Sequence, residues 1–115
     1  DSADSSENTD NSDQNSIVKN YNLILDFQQL YRLLGDISSK LETTVFKSPI
    51  QNVALAQVIK NIKRIKESVV NYIEYNYVQD YATNLYNYNI FIKALKINLE
   101  ILQSTKDLIT DVKNK

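Results

Sequence analysis

Apolar side chains recur at alternating steps of three and four residues through most of the chain beyond residue 16. The three rows are, in chain order, Leu23, Phe27, Leu30, Leu34, Ile37 and Leu41; Leu55, Val58, Ile62, Ile65, Val69 and Tyr72; and Tyr81, Leu85, Tyr88, Ile92, Leu95, Leu99 and Leu102. This spacing turns one apolar face of a helix toward its neighbours. The pattern therefore predicts an all-α fold, an antiparallel up-down-up bundle of three helices.

Turn and capping residues place the helices at about 17–46, 49–76 and 81–113. Ser16 can cap the first helix, and Ser48-Pro49 can start the second, because proline at the first helical position loses no hydrogen bond. Four residues can cap the third helix and place a turn within residues 75–84: Asn76, Asp80, Thr83 and Asn84. Gly35 predicts a local kink in the first helix, with a break that would give four helices as the alternative.

Residues 1–16 differ sharply from the rest of the chain. This segment holds five acidic residues, no basic residue and a single apolar residue, Ala3. Such a segment cannot bury enough apolar surface to offset its conformational entropy. The sequence therefore predicts a disordered acidic tether at 1–16, followed by a helical domain at 17–115 that carries more basic than acidic residues.

The composition excludes most kinds of catalytic and metal site. The chain has one glycine, no cysteine and no histidine. Gly-rich phosphate loops, zinc sites with Cys or His ligands and Ser-His-Asp triads all need residues that are missing. The acidic residues of the helical domain are spread along it without a paired motif. We therefore expect no enzymatic activity, no cofactor and no metal.

Six of the eight tyrosines fall between residues 72 and 88. Tyrosine gives a binding surface a large, stiff contact area with one polar end. Tyr75, Tyr77 and Tyr86 lie off the apolar rows and are candidate partner-binding residues, with local packing of the turn as the alternative. The other three, Tyr72, Tyr81 and Tyr88, are expected in the core with their hydroxyls pointing outward.

A basic stretch in the second helix is the other candidate site, and it comprises Lys60, Lys63, Arg64 and Lys66. Such a patch can bind phosphate, sulfated glycan or anionic lipid, whereas the ordinary alternative is a solvated helix face. The formal net charge of −1 does not favour nucleic acid as a partner. Any apolar face left over after the three helices pack can also drive self-association.

An acidic segment, DSADSSENTDNSDQNS, leads into a helix that opens SIVKNYNLILDFQQLYRLL. Together with the abundance of Ile, Asn, Lys and Tyr, this layout resembles the mature surface lipoproteins of Borrelia spirochaetes. The resemblance implies a lipidated cysteine before Asp1, a flexible tether, a helical domain at the outer membrane and a binding role toward host proteins. It carries over no site residue.

These observations lead to one functional hypothesis and two alternatives. The hypothesis is a non-catalytic, lipid-anchored surface module that contacts a host or partner protein. The first alternative is a helical protein whose function is to assemble with copies of itself. The second, which rests only on the basic stretch, is an intracellular adaptor or nucleic-acid-binding bundle.

Overall fold

The computed structural model is a bundle of three helices, α1 (Ser2–Glu42), α2 (Pro49–Tyr75) and α3 (Tyr81–Asn114). It describes the backbone of residues 2–75 and 80–114 and the side chains of residues 17–75 and 80–105. Each helix packs against both others. The helix α2 runs antiparallel to its neighbours, since its late residue Tyr72 contacts Phe27 and Asn84 while Lys63 reaches Glu42. The predicted three-helix bundle is confirmed.

The first helix ends at Glu42, earlier than the expected end near residue 46. Thr43 and Thr44 each donate a side-chain hydrogen bond to the carbonyl of Lys40, at 3.0 and 2.8 Å. The side chain of Asn52 then binds both backbone groups of Phe46, accepting from its N–H at 2.8 Å and donating to its carbonyl at 2.7 Å. These side-chain bonds close the helix and fold the connection back onto α2.

The same helix begins at Ser2, so its backbone is helical where the sequence predicts a disordered segment at 1–16. Helical hydrogen bonds are local, and this segment contains no glycine or proline to interrupt them. A boundary read from apolar content therefore need not coincide with the start of the helix. The side chains of residues 1–16 lie outside the described ones, and the role of the segment as a tether stays a prediction.

Gly35 lies inside α1, and the helix passes through it without a break. The four-helix alternative is therefore wrong. A Cβ atom at this position would lie 3.4 Å from the Lys66 Nζ atom on α2, which is ordinary van der Waals contact. A larger side chain than glycine therefore fits at this point of the contact between α1 and α2.

The starts of α2 and α3 agree with the predicted capping residues. The carbonyl of Ser48 accepts a hydrogen bond from the Asn52 N–H at 3.1 Å, with Pro49 as the first helical residue. Asp80 caps α3, because its carboxylate accepts from the Thr83 N–H at 2.7 Å. Thr83 and Asn84 lie inside α3, so Asp80 is the cap among the described candidates, and Asn76 lies outside the described residues.

The core is formed by the rows that the sequence predicts on all three helices, with Leu99 on α3 as an exception. Its buried apolar members are Leu23, Phe27, Leu30, Leu34, Leu55, Val58, Ile62, Val69, Tyr72 and Leu95. On α3 the buried row also includes Asn84 and Asn98, which are 2% and 7% exposed. Leu99, expected in the core, is 38% exposed because its neighbour Asn98 points inward instead. That assignment of Leu99 is corrected.

An aromatic cluster joins the three helices at one level of the bundle. Phe27 of α1 stacks on Tyr72 of α2 with ring centroids 5.0 Å apart. Tyr88 and Phe91 of α3 approach Phe27 edge-on at 5.2 and 6.2 Å. Stacked and edge-to-face pairs of this kind add to the burial of apolar area. The cluster therefore holds the relative positions of all three helices.

Candidate functional site

Near the turn between α2 and α3, a buried polar cluster includes Tyr72. Its hydroxyl donates to the Asn84 Oδ1 atom at 2.6 Å and accepts from the Asn87 Nδ2 atom at 3.3 Å. Asn84 in turn donates to Asn20 of α1 at 3.3 Å. The expectation that the Tyr72 hydroxyl points outward is wrong, because the asparagines supply a hydrogen-bonding partner inside the bundle.

A second polar contact lies further along the same two helices. Asn61 of α2 donates to the Asn98 Oδ1 atom of α3 at 2.8 Å and accepts from Gln57 at 2.9 Å. Asn98 donates to the Ala94 carbonyl one turn earlier at 2.8 Å. The buried polar groups of both contacts need their partners, and the two contacts lie at different levels of the bundle. Together they therefore fix the position of α3 along the axis of α2.

The structure divides the basic stretch between two sides of α2. Lys63 forms a salt bridge with Glu42 of α1. The Lys66 Nζ atom lies 5.1 Å from the centre of the Tyr31 ring, within reach of a cation–π contact. These two lysines line a cleft between α1 and α2 of about 320 Å³, together with Tyr31, Ser38, Glu67 and Val70. Since both lysines have partners within the chain, this cleft offers a ligand little unpaired charge.

Lys60 and Arg64 are exposed on the outward side of α2. Neither has an ion pair with any side chain that the structure describes. Arg64 follows Asn61 by three residues and shares its face of the helix, the face that borders α3. Lys63 and Lys66 thus have contacts on α1, whereas Arg64 lies on the side of α2 that borders α3.

Two of the three candidate tyrosines are exposed where α2 and α3 approach the turn. Tyr75 is 74% and Tyr86 is 66% exposed. The contacts of Tyr72 with Asn84 and Asn87 place Tyr75 level with the first turn of α3, close to the height of Tyr86. Tyr77 lies outside the described residues. The structure therefore brings two large aromatic side chains to one end of the bundle.

An exposed apolar row on α3 was not specified by the sequence analysis. It consists of Ile90, Ala94, Ile97 and Ile101, and we call it the outer row. Its isoleucines are 44%, 47% and 40% exposed, and Ala94 is half-buried. Its spacing of four, three and four residues is the same as that of the core rows, so periodicity could have found it once the buried face of α3 was known.

Among the described residues, the pKa values of two tyrosines and of the capping residue Asp80 are shifted. Burial raises the pKa of Tyr72 above its ordinary 10.0, although the hydrogen bond from Asn87 acts in the opposite direction. Burial, and secondarily the charge of Asp26, raises the pKa of Tyr88. The hydrogen bonds from Thr83 lower the pKa of Asp80. Both tyrosine hydroxyls thus stay protonated near neutral pH and act as neutral hydrogen-bonding groups.

Among the described side chains, no three acidic residues converge into a site for a metal ion. Within the same part of the chain, none of the helices is both long and apolar enough to cross a membrane. Comparisons with family models, with curated proteins and with solved structures find no match to this chain. Any function must therefore be argued from the exposed surface itself.

Proposed function

We propose that this protein is a non-catalytic binding module, held at a cell surface by an N-terminal lipid anchor, that contacts a host or partner protein. The observation that carries the proposal is the pair of exposed tyrosines, Tyr75 and Tyr86, at one end of the bundle. Exposed aromatic side chains in one region are typical of binding surfaces, because tyrosine offers much contact area for little loss of conformational entropy.

The surroundings of these tyrosines support a preformed surface. Tyr75 follows the buried Tyr72 by three residues, and Tyr86 adjoins Asn87, which binds the Tyr72 hydroxyl at 3.3 Å. The backbone beneath both exposed rings is therefore tied to the core. A partner that contacts the rings meets a rigid scaffold and pays little ordering entropy.

The acidic segment at 1–16 supports the surface location. A polar segment between an anchor and a helical domain would hold the domain away from the membrane, and the layout resembles that of spirochaete surface lipoproteins. A segment of 16 residues would span roughly 20–24 Å as a flexible coil, and about 24 Å in the helical backbone of the structure, at about 1.5 Å per residue. The location is tested by the gene: a signal peptide and lipidation cysteine upstream of Asp1 would support it, and a cytoplasmic start there would refute it.

The test of binding is capture of proteins from serum and extracellular-matrix extracts, with identification by mass spectrometry. Tyr75→Ala with Tyr86→Ala should abolish capture of a protein that the unchanged chain retains. Val53→Ala is the control, because Val53 is 73% exposed but lies near the start of α2, at the other end of the bundle. Equal loss with the control, or no captured protein that depends on Tyr75 and Tyr86, would refute the proposal.

Self-assembly is the second candidate, and the outer row on α3 favours it. An apolar row with the spacing of a helix-packing seam can pair with a copy of itself. Light scattering on the purified chain tests this function. A stable oligomer at micromolar concentration that dissociates on Ile97→Ser would support it, whereas a monomer at high micromolar concentration would rule it out.

A further inference from the structure

The outer row of α3 has the form of a helix-packing seam that lacks its partner. Ile90, Ala94, Ile97 and Ile101 repeat the steps of the core rows, yet their isoleucines remain 40–47% exposed. Ala94, at the centre of the row, is small and half-buried. An exposed row of apolar side chains at these steps is a surface onto which an amphipathic helix can pack.

The helix α2 supplies one edge of this surface. Asn61 binds Asn98 of α3, and Arg64 lies one turn further along the same face of α2. Since Asn61 is level with Asn98 and the helices are antiparallel, Arg64 is level with residues 94–95, at the middle of the outer row. The guanidinium therefore borders the apolar row from α2.

The other edge of the surface is also basic. Lys93 precedes Ala94 and is exposed, and neither Lys93 nor Arg64 has an ion pair with a described side chain. Glu100 lies toward the far end of the row, six residues beyond Ala94, and Lys96 is a further exposed basic residue on α3. The middle of the outer row is thus flanked by two positive charges that have no ion pair with any side chain that the structure describes.

We infer that the outer row binds an amphipathic helix of another protein whose apolar stripe is flanked by acidic residues, an inference that rests on the proposed binding function. The isoleucines receive the apolar stripe, and Arg64 and Lys93 pair with carboxylates on its two sides. Charge complementarity of this kind sets partner choice and speeds association. The occupant packs in the groove between α2 and α3 as a fourth helix.

A second copy of this surface fits less well. Antiparallel pairing of two outer rows would bring two Lys93 and two Arg64 side chains onto one small surface, and like charges in contact oppose association. The charges therefore favour a different, acidic chain.

The test uses two synthetic helical peptides of about 18 residues, roughly the length of the row and its flanks. Both carry leucines at steps of four, three and four residues; one has glutamates beside the leucine stripe and the other has lysines. Binding to the full chain is measured by fluorescence anisotropy. The acidic peptide should bind at least about tenfold more tightly than the basic one, and added salt should weaken its binding.

Variants locate the binding on the surface. Ile97→Ser should weaken the binding of the acidic peptide by about tenfold. Leu33→Ser should leave that binding unchanged, although both native side chains are 47% exposed. Arg64→Glu with Lys93→Glu should reverse the preference between the two peptides. Circular dichroism of each variant confirms that the helices remain.

The inference is overturned if neither peptide binds, if both bind equally, or if Leu33→Ser weakens binding as much as Ile97→Ser. Self-association abolished by Ile97→Ser would identify a second copy as the occupant and overturn it too. Binding to phosphatidylglycerol vesicles, without binding to the acidic peptide, would also overturn the inference. A captured protein that depends on Tyr75 and Tyr86 but not on Ile97 would overturn this inference and leave the proposed function standing.

Discussion

The two rows on α3 have the same spacing and contrasting chemistry. The buried row includes Asn84 and Asn98, whereas the outer row presents three isoleucines to solvent. The buried face also carries Tyr88, Phe91 and Leu95, so the two asparagines lie within a largely apolar surface. The buried asparagines are tolerated because each has hydrogen-bonding partners on α2, and no buried side-chain nitrogen or oxygen among the described residues lacks one.

The contrast shows that burial in this bundle is decided by pairs of residues as well as by single side chains. Asn98 faces the core because Asn61 stands opposite, and Asn84 does so because the Tyr72 hydroxyl is there. Polar contacts at two levels specify the position of α3 more sharply than an apolar seam would, because a shift along the helix would leave the buried polar groups unpaired.

The largest expected difference in stability is between a charge placed in the buried row of α3 and a charge placed in its outer row. Leu95→Asp buries an unpaired carboxylate where the native side chain is 6% exposed, and should lower the free energy of unfolding by about 3–5 kcal/mol. Ile97→Asp, two residues away, should change it by less than about 0.5–1 kcal/mol. Urea unfolding followed by circular dichroism measures both. Equal losses would mean that the two rows are not distinguished by burial.

The next effect concerns the pairing of Asn84 with Tyr72. Asn84→Ala removes the acceptor of the buried Tyr72 hydroxyl and should destabilise the bundle by about 1–3 kcal/mol. When Tyr72→Phe has already removed the hydroxyl, the same change should cost less, since no unpaired donor remains. Strict additivity in this double-mutant cycle would contradict the contribution of the pair to stability.

A smaller effect is expected at high pH. The pKa values of Tyr72 and Tyr88 are raised above 10.0 in the folded chain, so the folded chain retains protons that the unfolded chain has already lost. Stability should therefore be fully present below about pH 10 and decrease as the pH rises through the folded pKa values. Thermal unfolding between pH 8 and 11 measures the slope.

Two variants sharpen this comparison. Tyr72→Phe should make the decrease in stability at high pH shallower, because it removes one of the two groups that are protonated longer in the folded chain. Tyr86→Phe removes an exposed hydroxyl instead and serves as the matched control. An identical slope for Tyr72→Phe and the unchanged chain would contradict a contribution from the buried hydroxyl.

The smallest effect is expected outside both rows. Deleting residues 1–16 should leave the urea midpoint of the bundle unchanged, because this segment has only Ala3 to contribute to an apolar core. A lower midpoint after the deletion would show that the segment packs against the helical domain, and would contradict its role as a tether.

The sequence alone determined the fold class, the number of helices and most of the core, because three- and four-residue apolar spacing is a local property of a helix. It also located the start of α2, since Ser48-Pro49 acts within a single turn. It predicted two exposed tyrosines, Tyr75 and Tyr86, which lie off the apolar rows.

Only the tertiary structure decided that Asn98 rather than Leu99 is buried on α3, and which basic residues have an ion pair among the described side chains. The inward rotation of Asn98 depends on Asn61, which is 37 positions away along the chain. Likewise, Lys63 is neutralised by Glu42 of another helix, while Arg64 is left beside the outer row. These outcomes depend on which side chains meet across helices, and periodicity within one helix carries no information about that.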